Sequence, residues 1–193
     1  MHVERFSIAG PVKITPQVYG DARGYFLETW NQKRFAEALQ LPLEEAPSFS
    51  QDNQSRSVQL VLRGLHYQLP PHAQGKLVRC VQGEIFDVAV DIRRGSPTYG
   101  QWVGAHLSGE NHGQLWVPAG FAHGFLVLSA TADVLYKASG FWNKDAERSI
   151  RWDDPALAIA WPFPPEGGEP SVSEKDLQAP TLAEAAAKGE VFP

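Results

Sequence analysis

Sulfur is nearly absent from this sequence: among 193 residues there is one cysteine, Cys80, and one methionine. A single thiol cannot close an internal disulfide, and without a C-x-x-C pair there is no thiolate metal site. Cys80 sits in an apolar-alternating segment and reads as a buried, inert thiol. Missing too are an apolar run of spanning length and a basic-then-apolar leader, since the opening MHVERFSIAG is too polar for either. A soluble, cytoplasmic protein is the expectation. Basic residues are outnumbered, 17 Lys and Arg against 22 Asp and Glu, for a formal net charge of -5. Such a protein lacks the cationic face that nonspecific binding to nucleic acid or to a membrane surface needs. Helical periodicity is scarce, and no internal repeat is present.

What is there is 43% hydrophobic residues, enough for one domain that buries a core and still encloses a pocket. Short alternating segments broken by Gly, Pro, Asn and Asp fill the middle of the sequence, an all-β pattern. In EIFDVAVDIRRG, Phe86, Val88, Val90 and Ile92 share one parity and Asp87, Asp91 and Arg93 the other, which predicts a half-buried strand. Gln82-Gly83 before it reads as a tight hairpin turn and SPTYGQ after it as a looser one. QWVGAHLS, GQLWVPAG, AHGFLVLS and DVLYKASGFW are further strands, at the spacing of a sandwich or barrel. NQKRFAEALQL places Phe35, Ala38 and Leu39 on one helical face, and TLAEAAAKGE opens on a Thr181-x-x-Glu184 capping box. WPFPPEGGEPS is a loop leading into the C-terminal tail. The expected architecture is one β-barrel or jelly-roll domain over residues 1–180, edged by short helices, with a helical tail over 181–193.

Charge is unevenly placed. Between Phe49 and Arg79 the basic residues are Arg56, Arg63, Lys76 and Arg79, with Asp52 the only acid, so either a local anion site or solvated edge-strand charges fit. In LRGLHYQ, Arg63 and His66 fall on opposite faces of an ideal strand unless a bulge at Gly64 re-aims one of them. His66, beside leucines, is either a satisfied structural group or a base. The run Pro118-x-Gly-x-x-His123 resembles the second metal-binding motif of cupin barrels, but the H-x-H and glutamate that would complete a site are missing, so metal is not expected. Ser173-x-x-Asp176 looks like a capping box, and Tyr136, in phase with Val134 and Ala138, like a core aromatic.

Taken in order, YGDARGYFLETWN, SFSQDNQSRS, VLRGLHYQLPPHAQGKLVRCVQGEIFDVAVDIRRGSPTYGQWVG, LWVPAGFAHGFLVLS and RSIRWDDPALAIAWP strongly resemble the dTDP-4-dehydrorhamnose 3,5-epimerases. The resemblance runs from about Phe6 to about Gln178 and leaves the alanine-rich tail uncovered. It implies a cupin-like jelly roll working as a homodimer, without metal or other cofactor, on a dTDP-linked 4-keto-6-deoxyhexose.

Carried over position by position, the resemblance makes His66 the base, Asp176 the carboxylate behind its imidazole, Tyr136 the proton donor and Lys76 the cation beside the C4 oxygen. Those residue types suit abstraction of a proton α to a ketone, which needs a base, an opposed donor and a charge near the enolate oxygen. His123 is implied as a substrate-pocket residue on the oxyanion side, and Arg63 as a diphosphate ligand. Arg23, Phe26 and Glu28 correspond to a segment that a partner subunit contributes, and Gln51, Asn53, Glu147 and Lys175 to further substrate contacts. Where the family commonly has Tyr-Tyr, this protein has Phe141-Trp142, and Trp142 occupies the position whose ring stacks on the nucleotide base. Outside this reading stand a C3-only epimerase, a metal-binding cupin and a non-catalytic sugar-binding sandwich.

Overall fold

The computed structural model describes residues 1–165 and 167–193. Thirteen strands are present among them: β1 (His2–Arg5), β2 (Val12–Thr15), β3 (Val18–Asp21), β4 (Gly24–Leu27), β5 (Gln51–Val58), β6 (Leu62–Gln68), β7 (Lys76–Gln82), β8 (Glu84–Asp91), β9 (Trp102–Ser108), β10 (Gln114–Val117), β11 (Phe121–Val127), β12 (Thr131–Ala138) and β13 (Glu147–Ser149). Three short helices accompany them: α1 (Gln32–Leu39), α2 (Glu174–Leu177) and α3 (Leu182–Ala187). A six-stranded sheet runs β1-β2-β10-β7-β12-β5 and faces a five-stranded sheet, β13-β6-β11-β8-β9, as a jelly roll. The third sheet is the hairpin β3-β4 alone. Of the loop read over residues 161–171, Glu166 lies outside the described residues.

Alternation along each strand sorts side chains into three layers. Between the sheets, Val78 and Cys80 of β7 and Val134 of β12 meet Ile85, Ala89, Phe125 and Val127 of the opposing sheet. The outer face of the five-stranded sheet buries Phe86, Val88, Val90 and Leu126 under the C-terminal segment, including Leu157, Trp161, Leu182, Ala185 and Val191. Phe35 and Ala38 of α1 cover Val12, Leu77 and Trp116 on the outer face of the six-stranded sheet. The C-terminal tail is thus packed into the core, and its Thr181 forms the expected capping box with Glu184.

Two sequence expectations do not hold in this fold. β8 is not half-buried: Asp87 and Asp91 point into the sandwich, where both are fully buried, because the segment after β13 covers the face that would otherwise meet water. Asp91 is neutralised by Arg93 at 2.8 Å and bonded by Ser96 and Thr98. Nor is Gln82-Gly83 a hairpin turn, for β7 and β8 belong to different sheets. Gly83, at φ 76°, is the corner where the backbone passes between them, and a Cβ there would lie 2.0 Å from the Thr131 carbonyl oxygen. The SPTYGQ turn does join an antiparallel pair, β8 and β9.

Candidate active site

The geometry of the site begins at a glycine. In the β6-β11 pairing, His66 lies opposite His123 and Arg63 opposite Phe125, so two residues, Gly64 and Leu65, face Gly124 alone. This bulge shifts the alternation of β6 by one residue and brings Arg63 and His66 to the same inner face. Only glycine fits: φ is 131°, and a Cβ on Gly64 would stand 2.5 Å from the Gly124 Cα.

Arg63 and His66 open into a cavity of about 420 Å³ at one end of the sandwich interior. β5 supplies Gln51, Asn53 and Ser55 to its lining, β7 supplies Lys76, β11 supplies His123 and Phe125, β12 supplies Tyr136, and β13 supplies Glu147. Trp142 hangs over the mouth, 56% exposed, its backbone N–H donating to Gln51 Oε1 at 3.0 Å. The sheets therefore deliver the polar residues, while the apolar interior below them forms the floor.

His66 Nε2 lies 2.5 Å from Asp176 Oδ1. Asp176 is buried on α2, where its backbone N–H donates to the Ser173 Oγ at 3.2 Å as the expected cap. Its side chain does not complete the capping box but turns to His66, with Oδ2 accepting from the Gly64 N–H at 3.5 Å. Burial works to raise the Asp176 carboxyl, yet the hydrogen bond and charge of His66, with the Ser173 and Gly64 contacts, hold it below its ordinary value. An ionised Asp176 accepts from Nε2–H and leaves Nδ1 with its lone pair.

A second imidazole pair stands beside the first. His123 Nε2 is 2.7 Å from Asp87 Oδ1, both groups buried. Burial pushes the Asp87 carboxyl up, against the pull of His123 and Lys76, and its Oδ2 has no partner among the described residues. His123, whose motif resembled a metal ligand, and His66 thus each face a carboxylate of their own. Among the described residues no three His, Cys, Asp or Glu side chains converge on a common point.

Lys76 reaches into the same space, its Nζ 3.5 Å from the His66 carbonyl oxygen. It is half-buried where it lines the cavity, and desolvation there pulls its pKa down to about 8 despite the opposing charges of Glu147 and Asp87. Tyr136 is pushed up by burial, so its phenol keeps its proton throughout the neutral range. Arg63 donates from Nε to Ser57 Oγ at 3.1 Å, which leaves both terminal amino groups for an anion. Of the four clustered cations in the sequence, only Arg63 and Lys76 line this cavity. Arg56 pairs with Asp133 at 2.6 Å, and Arg79, in phase with Leu77, lies on the other face of β7.

Five of the expected site residues do not line the cavity: Asp176, which stands behind His66, and four others. Arg23, Phe26 and Glu28 sit on or beside the β3-β4 hairpin: Arg23 bonds Asp21, Phe26 is 70% exposed and Glu28 pairs with Arg34 at 3.4 Å. Lys175 turns to Glu147, Nζ to Oε2 2.5 Å. Sequence reasoning missed Asp87, hidden by its assignment to a wet strand face, and Gln68. The buried Gln68 amide donates to the His72 carbonyl oxygen at 2.6 Å, and its Oε1 accepts from the Asn143 N–H at 2.7 Å, clamping the loop that carries Trp142.

Bulge, paired imidazoles and lysine sit in a sequence with known relatives. A family model described as dTDP-4-dehydrorhamnose 3,5-epimerase matches residues 5–184. The protein is 54% identical over 185 residues to the dTDP-4-dehydrorhamnose 3,5-epimerase of Pseudomonas aeruginosa, covering 96% of this sequence and 98% of that one. It is 41% identical to a dTDP-4-dehydrorhamnose 3-epimerase of Streptomyces niveus, covering 96% and 86%. The solved structure of the dTDP-6-deoxy-D-glucose-3,5-epimerase of Legionella pneumophila, in complex with dTDP-4-keto-L-rhamnose, superposes with a TM-score of 0.91 at 48% identity, covering 99% of this sequence and 97% of that one. With matches spanning nearly its whole length, the protein belongs to the dTDP-4-dehydrorhamnose 3,5-epimerase family.

Proposed function

We propose that the protein is an isomerase that inverts C3 and C5 of dTDP-4-dehydro-6-deoxy-D-glucose, giving dTDP-4-dehydro-L-rhamnose in dTDP-L-rhamnose biosynthesis, with side chains alone and no cofactor. The observation that carries the reading is the Asp176-backed imidazole of His66 on one wall of a cavity that Lys76 and Tyr136 enter from other strands. The C3 and C5 protons of the substrate flank the C4 ketone, so loss of either gives an enolate spread onto that oxygen. In a gluco ring both protons are axial on one face, within reach of a single base. His66 Nδ1 takes the proton, Asp176 supports the imidazolium, and Lys76 with His123 stabilises the enolate oxygen. At C5 Tyr136 returns a proton to the opposite face, and at C3 solvent does. Asp87 fixes the His123 ring as Asp176 fixes that of His66.

Arg63 takes the diphosphate, Trp142 stacks on the thymine, and Gln51, Asn53, Glu147 and Lys175 contact the substrate. Arg23, Phe26 and Glu28 reach the nucleotide end from the partner subunit of a homodimer. The exposure of Tyr19, Tyr25 and Phe26 on a hairpin paired only with itself supports that arrangement. Among the described residues no helix is long and apolar enough to cross a membrane; the reading places the enzyme in the cytoplasm, as one jelly-roll domain over 1–180 with a tail over 181–193.

Incubation with dTDP-4-dehydro-6-deoxyglucose in deuterium oxide, followed by proton NMR, tests the assignment. Deuterium at both C3 and C5 supports it. Similarity to the Streptomyces niveus enzyme, named a 3-epimerase, favours the second reading, in which deuterium enters at C3 alone. Deuterium at neither carbon overturns both.

A further inference from the structure

Helix α2, which presents Asp176 to His66, is held in an unusual way. It is four residues long, far below the length at which a helix persists by itself. Asp176 is its only buried residue, and Leu177 is 62% exposed. No apolar side chain of α2 therefore anchors it, and its position rests on polar contacts. The backbone on either side is fixed: the Ser171 N–H donates to the Leu60 carbonyl oxygen at 2.8 Å, and the Pro180 carbonyl oxygen accepts from Arg151 at 2.9 Å. Between those two anchors the segment is a strap across the edge of the cavity.

Besides the bonds of Asp176 itself to His66 and to the Gly64 N–H, one further side-chain contact among the described residues ties that strap to the sheet. Lys175, adjacent to Asp176, donates to Glu147 Oε2 at 2.5 Å. Glu147 opens β13, opposite Gln68 of β6 and two register positions from the Ser149-His66 pair. The tie thus joins the carboxylate's helix to the strand beside the base. Burial works to raise Glu147, but the hydrogen bond and charge of Lys175, a hydrogen bond from Trp142 and the charge of His66 hold it below its ordinary value, so it stays anionic.

We infer that the Lys175–Glu147 ion pair is a positioning device that holds the Asp176 strap at hydrogen-bonding distance from His66, in addition to any contact either residue makes with substrate. The inference rests on the proposed role of His66 as base. A small displacement of Asp176 leaves the imidazole free to change tautomer and ring orientation, which lowers the chemical step and not just affinity. A residue that only contacted substrate equally in ground and transition states would raise KM and leave kcat unchanged.

The test compares Lys175→Met, Glu147→Gln, Lys175→Arg and the exchange Glu147→Lys with Lys175→Glu, with His66→Ala as control. Steady-state kinetics are read beside the ¹⁵N NMR tautomer signature of His66 in the substrate-free protein. Lys175→Met and Glu147→Gln are expected to lower kcat about 10-fold or more, beyond whatever the loss of a substrate contact does to KM. They are also expected to mix the two neutral His66 tautomers. Lys175→Arg and the exchanged pair should recover kcat to within about 3-fold and restore the single tautomer. Unchanged kcat and tautomer in Lys175→Met, with an inert His66→Ala, would overturn the strap and leave the base in place. Full activity in His66→Ala would overturn the reading beneath it.

Discussion

His66 Nε2 and Asp176 Oδ1 stand 2.5 Å apart across 110 residues of sequence, one on a bulged strand of the inner sheet face and the other on a four-residue helix laid over its edge. Neither element is aimed at the other by local propensity. Their meeting depends on the Gly64 bulge from one side and the Ser173 cap from the other.

The bulge yields the simplest prediction. Gly64→Ala places a methyl 2.5 Å from the Gly124 Cα, backbone against backbone, at a φ that L side chains rarely adopt. Destabilisation on the order of 3 kcal/mol or more is expected in urea unfolding, with loss of activity in whatever fraction folds. A stable, active variant would mean that strand register does not set the placement of His66.

Lys76 couples stability to activity. Its folded pKa of about 8 lies below the ordinary 10.5, so the unfolded state binds its proton more tightly. Below about 8 both states are protonated and the desolvated charge costs stability in full. Between about 8 and 10.5 the unfolded state holds more protons, and stability rises with pH. Lys76→Met should therefore melt about 3 °C or more above the parent at neutral pH, the gap closing as pH climbs through that window. The same change removes the cation at the enolate oxygen and should lower kcat about 100-fold or more. In the parent, kcat/KM should decline as pH rises through about 8. An alkaline limb that survives in Lys76→Met would assign it to another group.

Tyr136 distinguishes the two epimerisations. Its phenol is protonated in the neutral range, and it stands on the sheet facing that of His66, where it is proposed as the donor for the C5 step. Tyr136→Phe should slow deuterium entry at C5 about 100-fold or more while C3 exchange stays within about 10-fold, leaving a C3 epimerase. Equal loss at both carbons would place Tyr136 in a role common to the two steps.

Trp142 stands at the mouth of the cavity. Base stacking contributes about 1–3 kcal/mol, so Trp142→Ala should raise KM about 5- to 150-fold with kcat little changed. Comparing dTDP- and UDP-linked substrates shows whether the indole also selects the base. An unaltered KM would remove Trp142 from the nucleotide site.

The β architecture is legible because one face is apolar along the length of β9, β10, β11 and β12. Asp87 and Asp91 were misplaced for a physical reason: alternation reports polarity, and polar residues facing a sandwich interior look the same as those facing water. On an ideal strand Arg63 and His66 fall on opposite faces, and the condition that reverses this, a bulge at Gly64, is the one the structure contains. Asp176 carried a true capping signal that hid a second task. The β7-β8 corner had the local chemistry of a hairpin, and only the pairing of each strand with a different sheet tells the two apart.

Whether His66 removes the carbon-bound proton with Asp176 behind it is read from the rate of deuterium entry at C3. In deuterium oxide at neutral pH, His66→Ala should lose about 1,000-fold or more of that rate. Asp176→Asn, which keeps the shape but favours the wrong tautomer, should lose about 100-fold or more with little change in KM. Deuterium entering C3 at the parental rate in a folded His66→Ala protein would contradict this assignment and move the base elsewhere in the cavity.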